Sequence, residues 1–406
     1  MPSGWLIWLC PKAIKWLAFN KTMNTQPTII ILGGGIGGIV AANVLAKKVG
    51  KVAKIVLIDK QKNHMFPPAL LHLMLGERKL QEVLKPLSLL EKKGVEVVSD
   101  EVTKINHKEK TVTTKNHQLS YDYLVIALGA QMFPENIVGL RTGYNLYSFE
   151  DADKLKTALE NFKKGKIAIV ISSLPFKCPA APYEAALLLD AYFTKKKLRQ
   201  NIELSVFTPE PLPMPSAGAV IGNAIKDMLQ SRTINFYPNV GLQEVLEKTH
   251  QLVFATGAKY DFDLLLFIPP HQGTTVIKEA GLGNETGFIP VDKHTLETTY
   301  PNVFAIGDAN VILLSSGKPL PKAGVFAHAQ AQVVADIIVS RIKGRKETKK
   351  YDGKASCFLE TGFGKAGFAS GNLYTEPLPL MNMKQPSKIW YLLKMKYEKY
   401  WLWKWF

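Results

Sequence analysis

TIIILGGGIGGIVAANVLAK, residues 28–47, decides the fold. Thr28–Leu32 reads as an apolar strand, Gly33-Gly34-Gly35-Ile36-Gly37-Gly38 as a turn, and the residues from Ile39 to Lys47 as a helix. Gly33, Gly35 and Gly38 have the spacing of a dinucleotide-binding turn. The first makes the turn tight, the second lets the backbone approach a pyrophosphate, and the third lets the helix pack on the strand. A second apolar strand, Lys54–Ile58, ends at Asp59, roughly 20 residues beyond the last glycine, where such units place a carboxylate on a ribose hydroxyl. Lys60 beside it and Val102 are expected on the same nucleotide. An ordinary glycine turn of an α/β protein is the alternative, and it does not call for strand, glycines, helix, strand and acid in that order.

Working outward, Lys166–Val170 (KIAIV) opens a second unit of the same kind, but its turn is Ser172-Ser173-Leu174-Pro175-Phe176-Lys177-Cys178, without glycine. A pyrophosphate needs close backbone approach at a helix N-terminus, so this unit is expected to keep the fold and to lack the nucleotide. A thiol, Cys178, stands in that place. Two further segments, YDYLVIALGA (121–130) and YPNVFAIGDAN (300–310), resemble those of flavoproteins with two dinucleotide domains. That resemblance implies FAD, with Ala127 and Gly129 where the chain passes between domains, and Gly307 and Asp308 at the ribityl chain. A turn or helix cap is the other reading of Asp308.

The chain has 406 residues, 47% of them hydrophobic, which suits two or three domains with a substantial core. Three cysteines exclude a disulfide-stapled secreted scaffold. The formal net charge is +17 and the pI near 9.5. No nucleic-acid-binding motif accompanies that charge and the basic residues are scattered, so a membrane surface is the expected partner and nucleic acid is not. No metal is expected.

Two runs carry the chemistry: CPAAPYEAA from Cys178, and SCFLETG from Ser356. With the turn Pro321-Lys322-Ala323-Gly324, they are similar to sulfide:quinone oxidoreductase over nearly the whole chain from about Thr28. The resemblance implies that Cys178 and Cys357 form a redox-active disulfide beside the flavin, Cys357 facing the ring and Cys178 carrying sulfur. It further implies that Glu184 moves protons near the thiols, that Lys322 and Gly324 flank the flavin, and that Phe358, Lys394 and Tyr397 meet the quinone. Chemically, hydrosulfide is a nucleophile and a disulfide its electrophile. Each residue also has a plainer reading: inert buried cysteines, a helix-start acid for Glu184, a solvated lysine for Lys322, and a core aromatic for Phe358. The family's third cysteine has no counterpart near Leu128, so the FAD is expected to be non-covalent. The family's sulfide-side histidines have no evident match either.

From Lys388 the chain reads KIWYLLKMKYEKYWLWKWF, too short and too charged to span a bilayer, with Trp390, Leu393, Tyr397, Tyr400 and Trp401 near helical spacing. It is expected to lie on anionic lipid, or else to dock on the protein itself. The stretch Trp5–Phe19 is read as neither signal peptide nor span. Cys10 within it is given no role.

The expected architecture is α/β, with two Rossmann-like dinucleotide-binding domains built on parallel sheets and C-terminal amphipathic membrane-binding helices. Residues 1–27 are an extension, 28–149 with 273–346 the FAD domain, 150–272 the second domain, and 347–406 the quinone and membrane segment. The expected enzyme oxidises sulfide to polysulfide or zero-valent sulfur. It passes electrons to membrane quinone as a homo-oligomer, peripheral on a prokaryotic cytoplasmic membrane. A type II NADH:quinone oxidoreductase, a flavocytochrome-type sulfide dehydrogenase and a non-catalytic flavin sensor are the alternatives.

Overall fold

The computed structural model describes residues 26–406. The readings made for Trp5–Phe19 and Cys10 lie outside the described residues. The chain first forms β1 (Thr28–Leu32), α1 (Ile36–Val49), β2 (Lys54–Asp59), α2 (Leu70–Met74), β3 (Glu96–Ser99) and β4 (Tyr123–Ile126). It continues through β5 (Gly165–Ile171), α3 (Ala181–Lys195), β6 (Ile202–Phe207), α4 (Ala219–Ser231), β7 (Ile234–Tyr237) and β8 (Leu264–Ile268). It ends with β9 (Val303–Ala305), α5 (Gly324–Ile342), β10 (Lys354–Gly362), β11 (Lys365–Asn372), β12 (Leu380–Ser387) and α6 (Lys388–Trp405).

β1 to β4 and β9 make one parallel sheet in the order β9-β4-β1-β2-β3. A parallel sheet is covered on both faces, which is why Ile29–Leu32 and Ile55–Ile58 are unbroken apolar runs and fully buried. Gly33 has φ +103°, and a Cβ there would collide with the Ala127 carbonyl; a Cβ on Gly38 would meet the Gly33 carbonyl. The glycines thus act as the sequence requires, and α1 starts directly behind them. The second parallel sheet has the order Tyr144–Asn145, β8, β5, β6, β7. The chain crosses between the sheets twice, and the crossings pair antiparallel, Gln131 with Gln272 and Met132 with His271.

The C-terminal segment differs from expectation. Instead of several helices it holds an antiparallel sheet, β10-β11-β12, and the single helix α6. The sheet escaped the sequence reading because β11 (KAGFASGN) has no β-branched residue and little alternation. Its strands are defined by pairing with one another and by packing on α3 and α6. Nor is α6 simply amphipathic. Trp401, Leu402 and Trp405 are buried, whereas Ile389, Leu392, Leu393 and Trp403 are exposed, so the helix is apolar on two sides. Ser387 caps it, its Oγ accepting from the Trp390 amide. Among the described residues no helix is long and apolar enough to cross a membrane.

Candidate active site

Parallel sheets bind ligands beyond the carboxyl ends of their strands, and there the site residues gather. At the end of β2 the Asp59 carboxylate accepts from the Gly34 amide at 2.5 Å and the Gln61 amide at 2.7 Å. Lys60, directly after β2, is exposed and lies 3.5 Å from Glu101, the neighbour of Val102, which opens a separate three-stranded sheet. Gly35 has open space where a Cβ would stand. At the end of β4, the Ala127 amide donates to Leu32 and Gly129 turns with φ +71°. At the end of β9, Gly307 turns with φ +65°, its amide held by Gln330, and Asp308 follows with Oδ1 buried and unpartnered.

These features fit FAD. An orphaned buried carboxylate oxygen is unfavourable without a donor, and a ribityl hydroxyl is one. The open face of Gly35 at the start of α1 suits a pyrophosphate. Asp59, Lys60, Val102, Ala127, Gly129, Gly307, Asp308, Lys322 and Gly324 are the candidates to hold the rest. Lys322 is not the solvated loop lysine of the plainer reading. It is 7% exposed, its Nζ donates to the carbonyls of Asp308 at 2.9 Å and Asn310 at 2.8 Å, and it lies over the Phe288 ring. Burial lowers it to about 8, opposed by Asp308.

The glycine-free turn of the second unit reaches into this same place. The Cys178 amide donates to the Lys322 carbonyl at 2.6 Å, and Lys177 pairs with Lys322 as an isolated bridge. Cys178 has φ +48°, the left-handed region that a non-glycine residue adopts at a conformational cost of about 1–3 kcal/mol. Its carbonyl accepts from Ala181 at the start of α3 and from the Tyr147 hydroxyl, which also donates to Lys177 at 2.6 Å. Tyr147 was not foreseen from the sequence.

Cys357 comes from β10, which packs against α3, the helix that carries Glu184. Glu184 Oε1 accepts the Glu360 amide at 2.7 Å. Both cysteines are free thiols exposed to water, with protein packed closely around them. That enclosure raises both. Cys178 is pushed up by desolvation and then by Glu184, Cys357 and Asp308; Cys357 is pushed up to about 12 by desolvation and Glu184, with Lys394 opposing. Glu184 is itself raised to about 7 by burial, moderated by Lys394 and His72. The thiols therefore sit close enough to one another and to Glu184 to interact electrostatically.

On the far side of β10, strand alternation puts Phe358 and Glu360 on one face and Cys357 on the other. Phe358 lies 5.3 Å from Phe368 and 6.5 Å from Tyr397, and Phe368 stacks on Trp390 at 4.6 Å. Lys394 contacts Glu360, whose side chain is 2% exposed, and His72 Nε2 lies 2.7 Å from the same carboxylate. His72 and Glu360 were missed. Glu360 was in plain sight within SCFLETG, but nothing in the sequence pairs it with a histidine 288 residues away.

The sequence profile of the pyridine nucleotide-disulphide oxidoreductases matches residues 27–332. The chain belongs to the pyridine nucleotide-disulphide oxidoreductase family. Among its relatives in this family is the mitochondrial sulfide:quinone oxidoreductase of Mus musculus, 27% identical over 394 residues, which are 92% of this chain and 84% of that protein. The sulfide-quinone reductase of Aquifex aeolicus is 28% identical over 400 residues, 93% of this chain and 90% of that one. The X-ray structure of the sulfide:quinone oxidoreductase from that bacterium superimposes with a TM-score of 0.84 at 26% identity, covering 93% of this chain and 91% of the other.

Proposed function

We propose that this member of the family is a sulfide:quinone oxidoreductase that oxidises sulfide through Cys178 and Cys357 and reduces a membrane quinone. The observation that carries this reading is that Cys178 is seated on the Lys322 loop by a backbone hydrogen bond, with Cys357 and Glu184 within electrostatic reach of it. The relatives reported above support it.

Hydrosulfide attacks Cys178 of the oxidised pair, the Cys178–Cys357 bond breaks, and Cys178 becomes a persulfide while Cys357 leaves as a thiolate. FAD supplies the two-electron acceptor between the thiols and the quinone. Opening and closing the pair moves protons at sulfur, and Glu184, raised to about 7, gives and takes them there. Lys322 holds a fixed positive charge against the negative charge that reduction brings to the site. Phe358 and Tyr397 wall the quinone slot, with Lys394 at its head-group end. The FAD domain takes in 28–149 and 273–346 and the second domain 150–272, except that Tyr144–Asn145 pairs with β8 and so belongs to the second sheet.

The protein lies on the membrane through α6 and its surroundings. Ile389, Leu392, Leu393 and Trp403 are exposed among Lys388, Lys396, Lys399 and Lys404, and Leu378 and Leu380 add exposed apolar area just before the helix. Indoles and aliphatics at the headgroup level with lysines toward anionic lipid are the expected chemistry of such a surface.

An NADH enzyme is disfavoured by the second unit. Its turn lacks glycine, and the acid after β6, Glu210, is 4% exposed with Tyr183 donating to its Oε2 at 2.6 Å. The test is anaerobic mixing with sulfide and, separately, with NADH, following flavin absorbance. Sulfide should bleach the flavin and NADH should not. Cys178→Ser and Cys357→Ser should each abolish bleaching, and a soluble quinone should restore the colour in the parent. Bleaching by NADH that ignores both substitutions would overturn the reading.

A further inference from the structure

A chain of buried ionisable groups leaves the thiol site on the quinone side and reaches the surface. Lys394 on α6 lies within electrostatic reach of Cys357 and Glu184. Its ammonium contacts Glu360 Oε1 and lies 3.2 Å from His72 Nε2. His72 on α2 is 1% exposed, with Nε2 2.7 Å from Glu360 Oε1 and Nδ1 2.7 Å from Glu77 Oε2. The Glu77 side chain is half exposed, 50%. Arg78, paired with Glu398 and set against Met395, closes the cluster, and Lys195 and Tyr391 stand near Glu77.

Burying such a set is poorly repaid as stability, because desolvating charges offsets most of their attraction. The arrangement has a property that a static ion pair does not need. The two ring nitrogens of His72 face opposite ways, one toward a carboxylate in solvent and one toward a carboxylate in the interior. An imidazole so placed takes a proton at one nitrogen and releases another from the second. Quinone reduction consumes two protons with its two electrons, and Lys394 stands where the head group is proposed to bind.

We propose that Glu77, His72, Glu360 and Lys394 form the proton entry path for quinone reduction. The inference rests on the quinone reading above. Glu77 takes a proton from water and gives it to His72 Nδ1. His72 then loses its Nε2 proton to Glu360 Oε1, and from Glu360 and Lys394 the proton passes to a quinone oxygen. At each transfer one N–H or O–H bond breaks and one forms, and a flip of the imidazole ring about χ2 turns its remaining N–H back toward Glu360 before the next proton. Two passages, with the two electrons taken from sulfide, give one quinol. His72 and Glu77 are positioning residues, acting on quinone through Glu360 and Lys394.

The test uses the full-length flavin-loaded protein, reduced anaerobically with stoichiometric dithionite and mixed with a short-chain ubiquinone in stopped flow. Parent, His72→Gln and Glu77→Gln are compared in H2O and D2O across neutral pH. Both variants should reoxidise at least about tenfold more slowly, the usual scale on which a lost proton carrier is felt. Each should show an altered solvent isotope effect and pH profile, and added imidazole should restore much of the rate. Glu77 is half exposed, so its variant keeps the test alive should His72→Gln fail to fold. Parental rates in the variants overturn the path. Slow reoxidation with an unchanged isotope effect and no rescue overturns it too, since that is what mere structural damage produces. A parent that sulfide reduces but quinone cannot reoxidise overturns the quinone reading itself, and is told apart by the parent alone.

Discussion

Cys178 sits in the turn that sets the second dinucleotide unit apart from the first. Its turn lacks glycine, and the structure uses that turn to bring a thiol, through a left-handed backbone, onto the flavin-side loop at Lys322. Asp308, another residue legible from sequence, makes a direct prediction. Its Oδ1 is buried with no partner, so Asp308→Ala should fold normally yet purify with under about a tenth of the parent's flavin, read as the ratio of flavin to protein absorbance. Glu210 makes a second. Burial raises it to about 7, opposed by donation from Tyr183 and Thr208. A carboxyl raised on folding holds its proton more tightly in the native state, so its contribution is intact below about 4.5 and is lost as pH climbs to about 7. Glu210→Gln, always neutral, should flatten the pH dependence of the unfolding free energy over that window, measured by denaturant titration, and exceed the parent above it by on the order of 3 kcal/mol. The glycines could be read from sequence because they follow a local spacing, whereas both cysteines and Glu184 stood out only through the resemblance of their runs, CPAAPYEAA and SCFLETG, to a known family. Tyr147, His72 and Glu360 could not be read, because their partners come from distant elements and a lone histidine or tyrosine carries no local signature.

Among the elements, α6 departs most from a simple reading. Aromatic residues at helical spacing suggest one lipid-facing stripe, yet Trp401 is 2% exposed, its Nε1 donating to His328 and its ring lying 5.2 Å from Phe66 and 5.4 Å from His64. Trp403, two residues on, is 77% exposed. The two indoles should therefore separate by substitution. Trp401→Ala should lower stability by about 3–5 kcal/mol in denaturant unfolding. Trp403→Ala should leave that stability within about 0.5 kcal/mol and weaken binding to vesicles instead. The parallel strands were legible because burial on both faces writes unbroken apolar runs. β10 to β12 were not, because an antiparallel sheet of glycine, serine, lysine and asparagine owes its strands to neighbours rather than to propensity.

For the whole molecule, charge and apolar surface act together. With a formal net charge of +17 and the exposed apolar residues of α6, the protein should cosediment with vesicles containing anionic lipid and much less with purely zwitterionic ones. Raising salt from low to molar ionic strength should reduce that binding without abolishing it, since screening removes the electrostatic part alone. Full release by salt would show that the aromatic face takes no part. The backbone bond from Cys178 to the Lys322 carbonyl joins two loops from two different sheets, one bearing sulfur and the other bordering the cofactor. It makes the thiol a gauge of its neighbour. Whatever displaces the Lys322 loop, such as loss of FAD, is felt at sulfur, so the rate at which an alkylating reagent modifies Cys178 measures how fully the flavin site is formed.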